Sequence, residues 1–497
     1  MVGFDITRIR SKHLFVAVLI AAAVLRFLFL TEHSLWVDEL FSLRFAHLHL
    51  SELLPELVAN DNHPPLYYAL LHFWIQAFGD SEFAIRSLSV LFGVLMVVFV
   101  YKLGALLYDK QTGLLAALVI SIAKFSIYYS QEARMYSLLP FLATVSIYYF
   151  WNLIHNPTVK NVVSYIASTI LLLYTHSYGI FIVIAQNSYL LMLWLLDAHR
   201  AFELKPIRWA ALQLVVLVAF MPWAAVLAQR VARLHTEGYW VSRPTMMTVA
   251  GTFSAFSGSG PVLRILLVLL VILSAVSPMI IIARAHDRGD RRTVLQSADF
   301  KATSLLFFCL LMPVVLPLLI SQFSTPIYLD RATGVGYSAF CLLVARGLTS
   351  IKMRSLFFAA VATIVALSLS ILAVTGYVHR DEGKYRELAE YVAANAPRSA
   401  FIVTCDDGQM SWPFAYYSRA LGLLDRLTDL NDRQIKDASW QVAKNHPVVW
   451  LITSERRREA MDRCRKLPGL LQQSYRSMIK LVVPIQGFGI RVYSDPV

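Results

Sequence analysis

The chain has 497 residues, of which 57% are hydrophobic and 15% charged, with a mean hydropathy of +0.57, and this excludes an ordinary soluble domain. Its formal net charge of +13 is not accompanied by any nucleic-acid motif, so the excess is read as basic loops facing anionic headgroups. Four cysteines are too few for a disulfide framework.

Apolar runs long enough to cross a hydrocarbon core of about 30 Å at about 1.5 Å per residue fall near 14–30, 84–108, 113–129, 135–154, 161–177, 178–196, 209–228, 262–284, 303–321, 335–348 and 355–377. The pattern predicts a mainly α, polytopic membrane bundle of about eleven transmembrane helices. Arg8, Arg10 and Lys12 before the first run resemble the start of a signal peptide, but no small-x-small cleavage site follows, and the run is read as a retained helix. The segments 1–13, 197–208, 284–301 and 349–354 are rich in Lys and Arg, for example Arg284, Arg288, Arg291, Arg292 and Lys301. They fall on one side, which the positive-inside rule makes cytoplasmic. The opposite side receives 31–83, where Glu32, Asp38, Glu39, Glu52, Glu56, Asp61, Asp80 and Glu82 stand against a single base, Arg44.

Residues 1–377 thus form a transmembrane domain. Its first outer loop, 31–83, carries Leu40, Leu43, Ala46 and Leu50 at helical spacing and a short apolar stretch, Leu66–Phe78, which predicts helices lying in the interface. A second long outer loop, 229–261, holds Tyr239, Trp240, Arg243 and a Ser/Gly-rich run from Ser254 to Gly260, which predicts a mobile segment able to order on substrate binding. After Tyr377 charged residues become frequent. A helical pattern over 384–395 and β-rich runs at Phe401–Thr404, Val448–Thr453, Met478–Val483 and Ile490–Tyr493 predict a small α/β domain over 378–497, outside the cytoplasm, with a partly parallel sheet. Cys309 and Cys341 lie in apolar spans as small core residues; Cys405 and Cys464 lie in the outer tail, where pairing is open.

Chemistry-bearing residues gather in the outer loops. Asp38 and Glu39 follow Trp36, and desolvation beside Trp36 and Phe41 favours a carboxylate able to act as a base; the plainer reading is a solvated acidic patch. In Asn60-Asp61-Asn62-His63-Pro64-Pro65-Leu66-Tyr67-Tyr68 the prolines fit a turn and helix start, while His63 can bind a phosphate oxygen or a metal. Tyr128 to Tyr136 fill a short outer turn. Its tyrosines suit the aromatic belt, whereas Glu132 and Arg134 suit a metal and phosphate pair or a mutual salt bridge. Lys124 either snorkels or serves the site, His176 lies in another outer turn, and Arg331 binds phosphate or pairs with Asp330. Arg26, inside the first span, is read as snorkelling.

Trp36-Val37-Asp38-Glu39, His63-Pro64-Pro65-Leu66-Tyr67-Tyr68, Gly79-Asp80-Ser81-Glu82-Phe83-Ala84-Ile85-Arg86 and Ser130-Gln131-Glu132-Ala133-Arg134-Met135-Tyr136 together resemble the GT-C superfamily of glycosyltransferases, in the branch of protein O-mannosyltransferases and lipid A aminoarabinose transferases. The likeness spans roughly 14–190. It implies an inverting transfer of a monosaccharide from a polyprenyl-phosphate donor to a hydroxyl of a lipid or glycan acceptor, such as lipopolysaccharide or another envelope glycolipid. The reaction would occur on the periplasmic, outer face of the inner membrane. By position Asp38 is then the general base and Glu39 organises substrate. His63, Arg134, Arg331, Lys124 and Tyr67 form the donor and phosphate set. Some relatives require a divalent metal (Mg, Mn or Zn) and others do not; the metal-ligand candidates here are Glu132, His63, Asp61 and His176. The aminoarabinose transferases carry Lys where this chain has His63, and the family's Arg-Tyr-Leu pattern appears only as Tyr328-Leu329-Asp330-Arg331. A polyprenyl-lipid flippase or transporter is the competing reading, which would place charges near the midplane rather than at one end.

Overall fold

A computed structural model describes residues 6–61, 63–196, 203–237, 241–287, 297–375, 384–405, 411–429, 446–454, 467–481, 485 and 488–496. Tyr239, Trp240, Arg288, Arg291, Arg292, Tyr377 and Cys464, and with the last any pairing to Cys405, lie outside the described residues. The chain divides into two compact units, one of Met1–Leu30 with Phe45–Val378 and one of Thr31–Arg44 with His379–Val497.

The first unit is helical: α1 (Ile6–Phe27), the end of α2 (Val37–His47), α3 (Leu50–Asn60), α4 (Leu66–Phe78), α5 (Glu82–Leu107), α6 (Lys110–Ile122), α7 (Lys124–Ser130), α8 (Leu138–His155), α9 (Val159–Leu173), α10 (Gly179–Leu195), α11 (Pro206–Glu237), α12 (Met246–Phe256), α13 (Pro261–Asp287), α14 (Ala298–Phe323), α15 (Asp330–Thr333), α16 (Tyr337–Thr349) and α17 (Arg354–Thr375). Among the described residues, five helices are long and apolar enough to cross a membrane: α5, α8, most of α11, α14 and α17. Two bent pairs, α6 with α7 at 62° and α12 with α13 at 94°, raise the number to seven, and α9 and α10 are shorter apolar helices. Of the five, α8 is the most buried and α11 and α17 the least, which puts α8 at the centre of the bundle and the other two on its rim. Helix α5 packs on α6 and α8, α8 on α9, α10 on α14, and α16 on α6 and α13.

Polar side chains tie these helices together. Trp209 Nε1 donates to Asn187 Oδ1 (2.9 Å), Asn187 Nδ2 to Gln213 Oε1 (3.1 Å), and Gln213 Nε2 to the Tyr165 hydroxyl (3.1 Å). Tyr165 donates to Gln186 Oε1 (2.9 Å), and Gln186 Nε2 donates to Ser146 Oγ (3.1 Å), which meets Thr169 Oγ1 at 2.9 Å. The chain of bonds links α8, α9, α10 and α11. Each such interhelical bond is worth about 1 kcal/mol in a membrane.

Arg26 does not snorkel. It is fully buried, and its guanidinium donates to the carbonyls of Ala22 (3.0 Å), Ser121 (3.2 Å) and Ile120 (3.1 Å) and to the hydroxyls of Ser126 (2.7 Å) and Ser130 (3.2 Å). The reason is the break at Ala123 between α6 and α7. A broken helix leaves carbonyls without intrahelical donors, and hydrocarbon supplies none. Gly93 makes the room: a Cβ there would stand 2.1 Å from Ser130 Oγ and 3.0 Å from Arg26 Nε.

The expected loop 229–261 is also corrected. Helix α11 runs on through Glu237, and Met246–Phe256 forms α12, begun by Thr245, whose N–H donates to Thr248 Oγ1 at 3.0 Å. Among the described residues, 241–245 and the end of the Ser/Gly run are non-helical, with left-handed backbone at Gly258 and Ser259. Val249, Thr252, Phe253 and Phe256 recur at helical spacing, with Thr252 and Phe256 buried, a signal masked by the Ser and Gly among and after them.

The second unit holds α18 (Tyr385–Asn395), β1 (Ala400–Cys405), α19 (Ser411–Ala420), β2 (Leu427–Asp429), β3 (Val448–Ser454), α20 (Leu467–Ser474), β4 (Tyr475–Leu481) and β5 (Phe488–Pro496). The sheet order is β2-β1-β3-β5-β4, with β1 parallel to β2 and β3 and β5 antiparallel to β3 and β4. Alternation along the strands divides the core. Ile402, Trp450, Ile452 and Ile490 pack with Leu388, Val392 and Phe414, whereas Phe401, Val403, Val449, Leu451 and Tyr493 pack with Leu467 and Leu471. Strand β2 has three residues, too few for an alternating pattern to register in the sequence.

Arg26→Met, which keeps an apolar stem but removes every donor, should destabilise the protein by roughly 3 kcal/mol through the orphaned carbonyls. Gly93→Ala should act in the same direction by displacing Ser130. Thermal unfolding in detergent checks both, and an unchanged Tm for Arg26→Met would show that the carbonyls find other donors.

Candidate functional site

Side chains from four separate connections between helices meet in the first unit: Arg134 bonds Tyr68, His63 lies against His176, and Arg331 lies over Tyr136. There the structure builds a connected polar cluster.

Its centre is Asp61, buried just past the end of α3. His63 Nδ1–H donates to Asp61 Oδ1 at 2.8 Å, and the Tyr68 hydroxyl donates to Asp61 Oδ2. Arg134 Nη1 in turn donates to the Tyr68 oxygen at 3.2 Å. Burial pushes the Asp61 carboxyl up, but the charge and hydrogen bond of His63, the Arg134 guanidinium and the Tyr68 hydroxyl outweigh it and hold Asp61 well below the usual carboxylate range. Asp61 is thus a fixed anion that orients a histidine and an arginine, and a poor proton acceptor.

His176 packs against this group. Its ring centroid lies 5.2 Å from His63 and 6.1 Å from Tyr136, and the Arg331 guanidinium lies 5.2 Å over the Tyr136 ring. The backbone N–H of Tyr178 donates to His176 Nδ1 at 3.1 Å, which leaves the proton of the neutral ring on Nε2. That Nε2 is buried and has no hydrogen-bond partner. Burial first, then the neighbouring His63, Arg331 and Arg134, push the His176 imidazolium well below its ordinary pKa, with Asp61 opposing. The cluster therefore offers two guanidinium groups, the His63 ring and a neutral, buried N–H donor, a set suited to phosphate oxygens.

The motif around Ser130 to Tyr136 splits its duties. Ser130 bonds Arg26, and Gln131 Nε2 donates to the carbonyls of Arg26 (3.1 Å) and Leu28 (2.7 Å), closing the end of α1. Glu132, Arg134 and Tyr136 are buried beyond them. Arg331 comes in from α15, its backbone N–H held by Asp330 Oδ1 at 2.7 Å. Tyr328, just before it, bonds Thr252 of α12 at 2.7 Å.

Other expected residues lie apart. Tyr67 is fully buried, with its hydroxyl 2.9 Å from Ser89 Oγ on α5; the bridging tyrosine is its neighbour Tyr68, and helical phase alone separates the two. Lys124 lines a groove with Val119, Phe256, Leu263, Ile364 and Ile371, and its amine donates to Thr375 Oγ1 at 2.8 Å. Asp38 and Glu39 belong to the second unit, in the first turn of α2. There Glu39 Oε2 accepts the Trp36 N–H at 3.3 Å, the return half of a capping box, so Glu39 has a structural duty. Among the described residues no group of three or more His, Cys, Asp or Glu side chains could hold a metal ion. Asp61 and both Nδ1 atoms of the two histidines are already engaged, the candidate ligands do not fit a metal as a set, and no step below runs through one.

Residues 62–225 match the family model described as dolichyl-phosphate-mannose-protein mannosyltransferase, a stretch that includes His63, Tyr68, Arg134 and His176. ArnT from Cupriavidus metallidurans in the apo state shares the fold over 98% of this chain and 98% of its own, with a TM-score of 0.56 and 14% identity. The same protein bound to undecaprenyl phosphate gives 0.53 and 14% over 97% of each chain. The oligosaccharyltransferase AglB from Archaeoglobus fulgidus, in complex with an inhibitory peptide and a dolichol-phosphate, gives 0.51 and 12% over 97% of this chain and 74% of that one. No curated protein matches the chain in sequence.

His176 gives this cluster a pH signature. A histidine depressed on folding contributes stability that is fully present above its ordinary value of 6.5 and is lost as pH falls below it, because the unfolded chain then binds the proton more readily. The Tm of the wild type should therefore decline below about pH 6.5 more steeply than that of His176→Gln; parallel curves would show that His176 is not held neutral.

Proposed function

We propose that the protein is an inverting membrane glycosyltransferase that moves a monosaccharide from a polyprenyl-phosphate donor to a hydroxyl of a lipid or glycan acceptor on the outer face of the cytoplasmic membrane. The observation that carries this reading is the largely buried His63–Asp61–Tyr68–Arg134 chain with the unpartnered His176 Nε2 beside it. Its donors converge at one end of the bundle, where a lipid-borne phosphate would lie. The crystal structure of ArnT with undecaprenyl phosphate supports the choice of lipid class, and the acidic first loop against basic segments on the other side supports the orientation. The described residues hold five candidate spans, or seven with the bent pairs; this reading adds α1, α9, α10 and α16 as further crossings, for eleven in all. Charges gathered at one end favour surface chemistry over the transport reading.

In the reaction Asp38 accepts the proton of the acceptor hydroxyl as that oxygen bonds to the anomeric carbon. The bond from that carbon to the phosphate oxygen breaks, and the polyprenyl phosphate leaves with the electron pair. Arg134, Arg331 and His63 balance the charge that develops on the phosphate, the electrostatic contribution that is usually largest in such transfers. His176 Nε2–H donates to one of its oxygens. Asp61 holds His63 and, through Tyr68, Arg134, in place before substrate arrives.

Asp38→Asn should lower transfer by about 10² to 10⁴-fold in stably made protein, read as loss of the sugar from envelope glycolipids and glycans by mass spectrometry of cells with and without each variant. Wild-type yields would remove Asp38 as base. Arg134→Ala should weaken binding of undecaprenyl phosphate to the purified protein by roughly tenfold or more; unchanged affinity would take Arg134 out of the phosphate site.

A further inference from the structure

Residues 379–497 carry none of the side chains given a role in the transfer, yet they form one compact unit with residues 31–44, which hold Asp38. The contacts are specific. The Leu35 N–H donates to the Tyr417 hydroxyl of α19 at 2.6 Å. The Arg386 N–H of α18 donates to Ser34 Oγ at 3.1 Å, and its Nη2 donates to the Thr31 carbonyl at 3.1 Å. Ser34 Oγ in turn reaches Glu387 Oε2 at 3.4 Å. Further along, the Trp412 ring stacks on Phe41, with centroids 6.0 Å apart and planes at 18°, and carries the Arg44 guanidinium 5.0 Å over its face. Arg386 also lies 5.7 Å over the Tyr417 ring.

These contacts fall into two groups with different mechanical effects. Ser34 and Leu35 precede the first turn of α2, so the bonds to Arg386 and Tyr417 fix where the helix begins. Phe41 and Arg44 are three residues apart and share a stripe of α2 with Asp38, three residues before Phe41. Trp412 seated on that stripe fixes the rotation of the helix about its axis. A start point and a rotation together define the direction in which the Asp38 side chain leaves the backbone. We propose that the C-terminal unit is a positioning device for the Asp38 segment, with Trp412, Tyr417 and Arg386 as its positioning residues. The functional half of this inference rests on the glycosyltransferase reading given above.

The test uses full-length protein in lipid nanodiscs and in cells. In Tyr417→Phe and Trp412→Leu, hydrogen exchange should rise at the amides of 37–44 while β1 and β3 keep wild-type protection. Undecaprenyl phosphate should bind as in the wild type, and the sugar-bearing product in cells should fall by at least tenfold. Trp412→Phe, which keeps a stacking ring, should restore most of the product. Unchanged exchange at 37–44, or faster exchange with wild-type product, overturns the proposal. So does product loss that merely follows loss of protection throughout the sheet, since that is unfolding and not misdirection. If the wild type binds no undecaprenyl phosphate and makes no glycan, the transferase reading fails while the exchange result still reports on the clamp, so the two failures are distinguishable.

Discussion

The constraint on which this structure depends is that hydrocarbon offers no hydrogen bonds, so every polar group placed at membrane depth must find its partner in the protein. The break at Ala123 is the clearest case. Bending α6 into α7 by 62° brings the Ser130 to Tyr136 turn to the place where Arg134 can meet Tyr68, but it strands carbonyls at Ile120 and Ser121. Arg26 answers both from the first helix, and Gly93 leaves it the space. A charge in the first span is thus tied to the geometry of a site built from residues a hundred positions later.

The same constraint explains the division of labour among acids. Asp61 is surrounded by donors and held ionised, which suits orientation and unsuits it for proton transfer. Glu39 serves the start of its own helix. An acid becomes an organiser when its lone pairs are filled, and the polar motifs between the helices divide by this rule more than by residue type. Gln131 closes a helix end while Arg134, three residues on, joins the cluster.

What could be read in the sequence follows from how local each signal is. The long apolar helices α5, α8, α11, α14 and α17 were legible because a twenty-residue apolar run is a local fact, and so was the start of α4 after Pro64 and Pro65, because proline marks a helix start. Tyr68 instead of Tyr67 as the bridge depended on helical phase, one residue beyond what spacing resolves. The fate of Arg26 was not legible, because snorkelling and burial look alike until the broken helix beside it is seen. Nor was the helix over Met246–Phe256, since the flanking Ser and Gly residues carry the stronger local signal.

Long-range partners are the least legible of all, and the segment 31–44 illustrates why. Its own pattern is that of an interfacial helix, and nothing in Trp36 to Arg44 names Tyr417 or Trp412 as neighbours. Those residues lie beyond the last span, on an α/β unit whose sheet order brings α18 and α19 to one face of β1 and β3. Only after the parallel pairing of β1 with β3 is formed does that face exist for the segment to join. The local sequence supplies the acid, whereas its aim is encoded some 350 residues away, as the Ser34 to Arg386 bond illustrates.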